Sequence, residues 1–323
     1  MIEILHGDAL EKIKLLKDKS IDCIVTSPPY WQLRDYGVAG QLGLEDTVEE
    51  YIEKLLDIFD ECWRVLKDTG TVFINMGDTY SNVNSKFISG SNNKNYYIDN
   101  QKAKTRRKSD IRRKSKMMIP ERFAIAMIER GWILRNEIIW HKPNVVPEAV
   151  QDRFTNDFEK IYFFTKNEKY FFEKQYEAFA EKTLTAFKDG IMPTGKKKML
   201  GAGESRTGMR EVNKPWKAVY NEKGRNMRTV WKIATKGIPE AHFATFPEEL
   251  VKRCLLSGCP ENGIVLDLFL GSGTTLKVAK RLNRNGIGIE LNQEYIQIAK
   301  KRIGNDLFNE IQVRTDNLRR NNG

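Results

Sequence analysis

A hydroxyl, two prolines and an aromatic ring follow one another in the stretch TSPPYW, directly after the apolar run IDCIV. Proline has no backbone N–H and restricts the preceding residue to extended geometry, so Pro28 and Pro29 end strand pairing and hold the chain still. A Ser27 hydroxyl fixed in this way can accept a hydrogen bond at a defined position, and the Tyr30 ring can stack on a flat substrate. An ordinary proline turn is the competing interpretation.

A glycine turn flanked by acids is the second candidate for chemistry. In VLDLFLGSGTT, Asp267 precedes Gly271 and Gly273, and Glu290 follows Gly271 by nineteen residues. Glycines let a ligand approach the backbone closely, and an acid about 20 residues further on accepts hydrogen bonds from ribose hydroxyls. Leu276 stands where the dinucleotide pattern has its third glycine, which counts against NAD. The spacing indicates a nucleoside site, with a purely structural tight turn as the alternative.

S-adenosylmethionine suits this turn better than a dinucleotide does. It has no pyrophosphate and presents an amino-acid end, a ribose and a sulfonium cation. Asp267, Glu290 and Asp8 would suit such a cationic, hydroxyl-rich ligand, and Phe269 offers an apolar surface beside it.

The proline turn gains a chemical role if both motifs open onto one crevice at the carboxyl edge of a sheet. The exocyclic amine of a nucleobase is a poor nucleophile because its lone pair is delocalised into the ring. Two acceptors aimed at its N–H groups, the Ser27 Oγ and the Pro28 carbonyl, would free that lone pair for attack on a methyl group. A base inside a duplex could not reach the crevice, so it would have to be flipped out.

Positive charge is concentrated in two segments. The formal net charge is +11; residues 101–118 hold nine Lys or Arg against one Asp, and residues 182–232 hold thirteen against four acidic residues. This concentration favours a polyanion partner over a solvated basic face, and a duplex from which a base is flipped out would be such a partner. The predicted DNA contacts are Arg106, Arg107, Lys108, Arg112, Arg113, Lys196, Lys197 and Lys198.

Neither a metal site nor a membrane segment is predicted. The four cysteines match no common zinc spacing and are interpreted as buried thiols, and the three histidines have no ligand partner at metal-binding spacing. The chain has no run of eighteen apolar residues, and its first segment lacks the basic start and cleavage site of a signal peptide. A cytoplasmic location, in a prokaryote or encoded by a phage, is the resulting expectation.

Strands and helices alternate along the chain around these motifs. A capping box of Thr47 and Glu50 begins the longest predicted helix, and Gly70 ends it. Buried strands are predicted at IDCIV, TVFINMGD, GIVLD and NGIGIEL, and the aromatic runs in residues 159–174 are predicted to form a hairpin. This alternation is typical of a parallel sheet covered by helices on both faces.

In this order of motifs the chain resembles the β-class amino-group DNA methyltransferases, S-adenosylmethionine-dependent enzymes in which the S-P-P-Y block precedes the D-x-F-x-G-x-G block. The resemblance rests on HGDAL, TSPPYW, GQLGLE, VFINMGD, RNEIIWHKPN, HFATFPEEL, DLFLGSGTT and GIEL, and covers most of the chain outside 81–118 and 174–230. Three departures from the family pattern are Leu268 for a usual Pro, Leu270 for a small residue, and HFATFP for H-P-x-x-F-P. None removes a contacting polar group.

The resemblance implies an α/β fold, a Rossmann-like doubly wound sheet permuted so that the catalytic half comes first, with an inserted target-recognition module. The catalytic half would be formed by residues 1–173, with a mobile basic loop at 81–118, and the cofactor-binding half by residues 231–308. The target-recognition region would lie between them at 174–230, and a C-terminal tail would follow at 309–323. Catalysis is assigned by likeness to Ser27, Pro28, Pro29 and Tyr30. The cofactor pocket is assigned to Asp8, Phe246, Asp267, Phe269, Gly271, Ser272, Gly273, Thr274 and Glu290.

The implied activity is site-specific DNA methylation at N4 of cytosine, since Ser before the prolines is more typical of N4 enzymes in this family and Asp or Asn of those acting on N6 of adenine. A hydroxyl serves either amine, so N6-adenine methylation is the alternative. A non-catalytic nucleic-acid-binding protein, or methylation of RNA or a small molecule, are rival hypotheses that a methyl-transfer assay on DNA would separate. A companion restriction endonuclease is a further candidate partner.

Overall fold

The computed structural model describes residues 1–33, 35, 37–81, 111–181, 223–235, 246–304 and 311–314. The chain divides into two compact units, the main unit Met1–Glu173 with Thr229–Gly323, and the second unit Lys174–Arg228. The main unit contains a nine-stranded sheet. None of the helices in the described ranges is long and apolar enough to cross a membrane.

The main unit alternates strands and helices, as the sequence pattern predicts. Within the described residues its helices are α1 (Ala9–Ile13), α2 (Val48–Val65), α3 (Ile119–Glu129), α4 (Glu248–Gly258), α5 (Thr274–Arg281) and α6 (Gln293–Ile303). The strands in the described part of both units are β1 (Ile2–His6), β2 (Ile21–Thr26), β3 (Leu66–Met76), β4 (Ile133–His141), β5 (Phe158–Thr165), β6 (Tyr176–Glu177), β7 (Arg225–Asn226), β8 (Val230–Lys232), β9 (Ile264–Asp267), β10 (Asn285–Glu290) and β11 (Gln312–Arg314).

The large sheet has the strand order β11-β1-β10-β9-β2-β3-β5-β4-β8. Neighbours from β11 to β3 are parallel, and β5 runs antiparallel to both β3 and β4. Strand β2 of the N-terminal half pairs with β9 of the C-terminal half through Cys23 with Val265 and Ile24 with Leu266. The predicted α/β fold with a large parallel sheet is confirmed, and both halves of the chain contribute to its centre.

Helix α2 begins at the predicted capping box, but it ends at Val65 and not at the predicted Gly70, which lies within β3. The Thr47 hydroxyl accepts from the Glu50 amide at 3.1 Å, and the Glu50 carboxylate accepts from the Thr47 amide at 3.4 Å. Its apolar face is buried in the main core, where Phe59 packs edge-on against Phe123 of α3 at 5.3 Å between ring centroids. This burial fixes α2 beside the sheet and close to the TSPPYW turn.

The predicted hairpin over residues 159–174 is wrong. Strand β5 pairs with β3 and β4 instead, and the second aromatic run forms no strand. The Tyr170 and Phe172 rings pack against Phe163, and the Phe171 amide donates to the Thr69 carbonyl at 2.8 Å. Ring packing on the face of the sheet therefore holds this run without strand pairing.

The predicted mobile loop at 81–118 is ordered at its C-terminal end. Residues 82–110 lie outside the described residues, whereas Ser81 exchanges backbone hydrogen bonds of 2.7 Å with Lys114 and Ser115. Met117 is buried in the main core, which explains why this end of the segment is held.

The predicted C-terminal tail at 309–323 contains a strand, so the tail prediction is wrong for residues 311–314. Strand β11 pairs with β1 in parallel, Ile311 is buried, and Arg314 forms a 2.9 Å ion pair with Glu3. The remaining residues of this segment lie outside the described ranges.

The second unit spans 174–228, close to the predicted region 174–230, but Val230 belongs to β8 of the large sheet. In its described part, β6 pairs with β7, and Arg225 and Arg228 donate to the Glu177 carboxylate at 2.8 Å and 2.6 Å. A role in target recognition remains a prediction.

Candidate active site

A cavity of about 700 Å³ opens in the main unit where β1, β2, β9 and β10 end. Residues of both sequence motifs line it, as expected if the two motifs face one crevice. The predicted site residues in its lining are Asp8, Ser27, Pro28, Pro29, Tyr30, Phe246, Phe269, Gly271, Ser272, Thr274 and Glu290. Asp267 and Gly273 are the predicted cofactor residues that do not line it.

Asp267 is buried behind the cavity wall and joins the two motifs. Its Oδ1 accepts from the Thr26 hydroxyl at 2.8 Å and its Oδ2 from the Thr275 hydroxyl at 2.6 Å. Burial raises the pKa of Asp267 to about 6, a rise that these hydrogen bonds and the Phe269 amide oppose. Within the protein Asp267 organises the glycine turn, and a direct contact with a cofactor is not part of this geometry.

Glu290 holds the tip of the glycine turn from the end of β10. One carboxylate oxygen accepts from the Gly271 amide at 2.7 Å and the other from the Asn292 amide at 2.8 Å. Burial raises the pKa of Glu290, and these two backbone hydrogen bonds oppose the rise. Each oxygen has a second lone pair, so a carboxylate in the cavity lining can still accept from a ligand hydroxyl.

Gly273 is required by packing and backbone conformation. It precedes α5 with φ at +84°, and a Cβ there would lie 2.9 Å from the Ala299 Cβ of α6. This close approach brings α6 against the glycine turn. Gly273 therefore shapes the cavity wall from behind it.

Asp8 and Phe246 line the cavity from two other segments. Asp8 caps α1 by accepting from the Glu11 amide at 3.1 Å, and it follows β1, whose His6 pairs with Glu290 in the sheet. The two carboxylates thus lie at the ends of neighbouring strands. Residues 242–245 of the HFATFP block lie outside the described residues.

The TSPPYW turn is clamped to α2 and to the segment before it. The Tyr51 hydroxyl of α2 donates to the Pro29 carbonyl at 2.8 Å, and the buried Trp31 indole donates to the Glu45 carbonyl at 3.0 Å. These contacts hold the backbone of the turn at Pro29 and Trp31, and the acceptor role of Ser27 remains a prediction. The Pro28 carbonyl as the second acceptor remains a prediction.

Tyr30 has a buried hydroxyl with acidic and polar partners. It donates to the Glu159 carboxylate at 2.7 Å, and the Asn75 side-chain oxygen lies 3.4 Å away. Burial and the Glu159 charge raise the pKa of Tyr30 well above its ordinary value, whereas a hydrogen bond from Ser27 lowers it. The phenol therefore stays protonated at neutral pH.

Sequence reasoning missed several polar or aromatic residues of the lining, among them Asn75, Trp140, Lys142 and Glu159. Lys142 forms an ion pair with Glu159 and lies 4.5 Å above the Trp140 ring centroid. Their position at strand ends could have identified Lys142 and Glu159 as site residues, because Lys142 follows β4 directly and Glu159 lies at the start of β5. Pairing of these two strands is non-local and is not readable from the motifs.

The predicted DNA-contact residues are only partly described. Arg112 and Arg113 are exposed and lie outside the cavity lining. Arg106, Arg107, Lys108, Lys196, Lys197 and Lys198 lie outside the described residues. Within the described ranges, no three His, Cys, Asp or Glu side chains come together as a metal site.

The residues of the cavity fit S-adenosylmethionine. The carboxylates of Asp8 and Glu290 match a cationic ligand with ribose hydroxyls, and Phe269 and Phe246 supply apolar surface. A Cβ at Gly271 would have the Phe269 carbonyl oxygen, 4.0 Å away, as its nearest neighbour, so the backbone of this turn is open to a ligand.

Comparison with known structures supports the same fold. The PvuII DNA methyltransferase, described as cytosine-N4-specific, superposes with a TM-score of 0.60 at 18% identity, over 95% of this chain and 87% of that one. A protein from Thermus thermophilus described as a DNA modification methylase, solved in complex with S-adenosyl-L-methionine, superposes with a TM-score of 0.59 at 22% identity, over 98% of each chain.

Sequence relatives cover nearly the whole chain. The type II methyltransferase M.SmaI of Serratia marcescens is 38% identical over 93% of this chain and 90% of its own length. M.Cfr9I of Citrobacter freundii is 36% identical over 96% of this chain and 90% of its own length. The family model described as DNA methylase, which covers N6 and N4 methyltransferases, matches residues 21–301. The chain belongs to this family of DNA amino-methyltransferases, which use S-adenosylmethionine as methyl donor.

Proposed function

We propose that the protein is a site-specific DNA methyltransferase that methylates the N4 amino group of cytosine in a flipped-out base. One observation carries the proposal. Ser27 of the rigid turn and Glu290 of the glycine-turn wall line the same cavity, although they come from opposite ends of the chain. A methyl donor held by the Glu290 side would therefore face an amine held by Ser27.

The chain's own residues hold the amine and the base in this proposal. When bound, S-adenosylmethionine supplies a methyl group activated by its sulfonium cation. The Ser27 Oγ and the Pro28 carbonyl accept hydrogen bonds from the target amine, which turns its lone pair toward the methyl group. Tyr30 stacks on the flipped base, and the prolines supply rigidity where a small displacement slows the reaction strongly.

We propose cytosine as the target base, and not adenine, because the residue before the two prolines is a serine. Ser27 matches the pattern more typical of N4 enzymes, and the PvuII enzyme with the same fold is described as cytosine-N4-specific. N6-adenine methylation is the alternative, because a neutral hydroxyl can accept from either amine.

Binding to double-stranded DNA is proposed to use the basic segments, with 174–230 reading the target sequence. Residues 101–118 and 182–232 carry the concentrated positive charge that phosphates attract. Of the eight residues predicted to contact DNA, Arg112 and Arg113 are the two that the structure describes, and both are exposed. A companion restriction endonuclease and a cytoplasmic location complete the proposal.

Methyl transfer to DNA tests the proposal directly. Purified protein is expected to move a radiolabelled methyl group from S-adenosylmethionine to unmethylated genomic DNA, and Ser27→Ala to abolish this while cofactor binding persists. Mass analysis of the product nucleosides then decides between N4-methylcytosine and N6-methyladenine. A wild-type protein that labels none of several genomic DNAs of different base composition would refute the enzyme proposal.

A further inference from the structure

A polar network occupies the wall of the cavity around Glu159. Tyr30, Asn75, Lys142 and Glu159 all line the cavity, and the first three each contact Glu159. They come from the TSPPYW turn and from β3, the end of β4 and β5. Three sheet strands thus meet the turn at one carboxylate.

The hydrogen bonds of Glu159 indicate what it does. Its Oε2 accepts from the Tyr30 hydroxyl at 2.7 Å and from the Asn75 amide at 3.0 Å, and its Oε1 accepts from the Lys142 ammonium. These three donors take three of the four lone-pair positions of the carboxylate, and all three belong to the protein. The geometry therefore favours holding neighbours over accepting a proton.

Glu159 also fixes the orientation of Asn75. The Asn75 Nδ2 donates to Glu159 Oε2 at 3.0 Å and to the Lys160 carbonyl at 3.2 Å, and both partners can only accept. The Asn75 Oδ1 is therefore turned toward the Tyr30 hydroxyl, 3.4 Å away. Because that hydroxyl has one hydrogen and gives it to the closer Glu159, Asn75 Oδ1 keeps lone pairs at this wall.

The Tyr30 ring is held from its other side by backbone. A Cβ at Gly77 would lie 2.4 Å from Cε2 of the Tyr30 ring, so the ring packs closely on the Gly77 backbone. Because the Tyr30 ring packs on Gly77 and its hydroxyl donates to Glu159, both the position and the orientation of the ring are fixed. Loss of Glu159 would remove the 2.7 Å acceptor of this buried hydroxyl and leave only the longer 3.4 Å contact with Asn75, which weakens that restraint.

We propose that Glu159 is a positioning residue for the target base: it fixes the Tyr30 ring and turns the Asn75 side-chain oxygen toward the same wall. The proposal rests on the proposed function, because the base is the group these side chains would receive. Both restraints meet at the Tyr30 hydroxyl, so Glu159 and Tyr30 should behave as one unit in methyl transfer.

A double-mutant cycle tests this coupling. Glu159→Ala and Tyr30→Phe, which keeps the ring, are each expected to slow single-turnover methyl transfer by about tenfold, and the double variant by the same factor. The matched control is Glu137→Ala, which removes a carboxylate of β4 that pairs with Lys160 outside the cavity lining and should leave the rate unchanged. The proposal would be overturned if the rate of the double variant fell by the product of the two single-variant factors, or if either single variant kept the wild-type rate.

A second readout needs neither cofactor nor DNA. In protein labelled with fluorotyrosine, the Tyr30 ¹⁹F resonance is identified by its loss in Tyr30→Phe among eleven tyrosines. Glu159→Ala and the isosteric Glu159→Gln should both shift this resonance, and Glu137→Ala should not. An unshifted resonance would refute the contact, whereas absent methyl transfer in the wild type would refute only the proposed function. If Glu159→Ala fails to fold, Glu159→Gln takes its place in the cycle.

Discussion

The Thr26 hydroxyl at the end of β2 donates a 2.8 Å hydrogen bond to Oδ1 of Asp267 at the end of β9. Thr26 immediately precedes Ser27, and Asp267 begins the glycine turn. The bond crosses the pairing of β2 with β9, where the two halves of the chain meet. It therefore sets the separation between the turn that would receive the amine and the turn that would receive the cofactor.

Replacing Asp267 should change how stability depends on pH. Burial raises its pKa from 3.8 to about 6, so the carboxyl stabilises the fold most below pH 3.8 and loses that contribution as the pH rises through 6. Between pH 7.5 and pH 5 the free energy of unfolding of the wild type should rise by about 1 kcal/mol relative to Asp267→Asn, which keeps the shape of the side chain. Urea unfolding of both proteins at both pH values measures this, and parallel pH curves would contradict it.

Removing Glu290 should weaken S-adenosylmethionine binding. The Glu290→Ala variant loses a carboxylate that lines the cavity and leaves the Gly271 and Asn292 amides without their acceptor. We expect the dissociation constant, measured by calorimetry, to rise by about tenfold or more. Glu294→Ala, an exposed carboxylate in the first turn of α6, is the control and should bind normally. Binding within twofold of wild type in Glu290→Ala would argue against a cofactor contact.

The two glycines of the turn should respond differently to an added methyl group. Gly273→Ala meets Ala299 at 2.9 Å with φ at +84°, whereas Gly271→Ala, with φ at +53°, has its nearest neighbour at 4.0 Å. Backbone strain of about 1 kcal/mol applies to both, and overpacking adds about 1 to 3 kcal/mol at Gly273 alone. Denaturant unfolding should give Gly273→Ala a lower free energy of unfolding than Gly271→Ala. Equal free energies of unfolding would show that α6 shifts at Ala299 to make room for the added methyl group.

Neutralising basic side chains of the 101–118 segment should weaken DNA binding for all sequences alike. Changing Arg106, Arg107, Arg112 and Arg113 to Gln is expected to reduce the slope of log K against log salt by about 0.9 for each phosphate that the protein no longer neutralises. The control is Arg281→Gln, which removes a partner of Glu248 on another element. Weaker binding confined to one sequence would show instead that these arginines read bases.

Local signals predict most of the fold and the convergence of its two motifs. The capping box of Thr47 and Glu50, which spans four consecutive residues, is enough to predict where α2 begins. The rigidity of Pro28 and Pro29 is likewise local, because the proline ring itself fixes the backbone. The motif pattern predicts that Asp267 faces the cofactor, yet its buried hydrogen bonds depend on β2 and β9 being neighbours. Such non-local pairing leaves no periodic trace in the sequence.

The same limit explains the polar residues that sequence reasoning missed. Glu159 and Lys142 come together because β4 and β5 are antiparallel neighbours, and Asn75 joins them through the pairing of β3 with β5. The short strand β11 escapes prediction because three residues hold too little pattern, and its position follows from Ile311 and Val313 packing with the core near β1.

The outermost strands of the nine-stranded sheet, β11 and β8, contain three residues each. A strand that short offers few open N–H and C=O groups to another polypeptide, and the Glu3–Arg314 ion pair adds charge beside one of these edges. The two outermost strands of the sheet therefore offer little backbone of their own for edge-to-edge pairing with another chain.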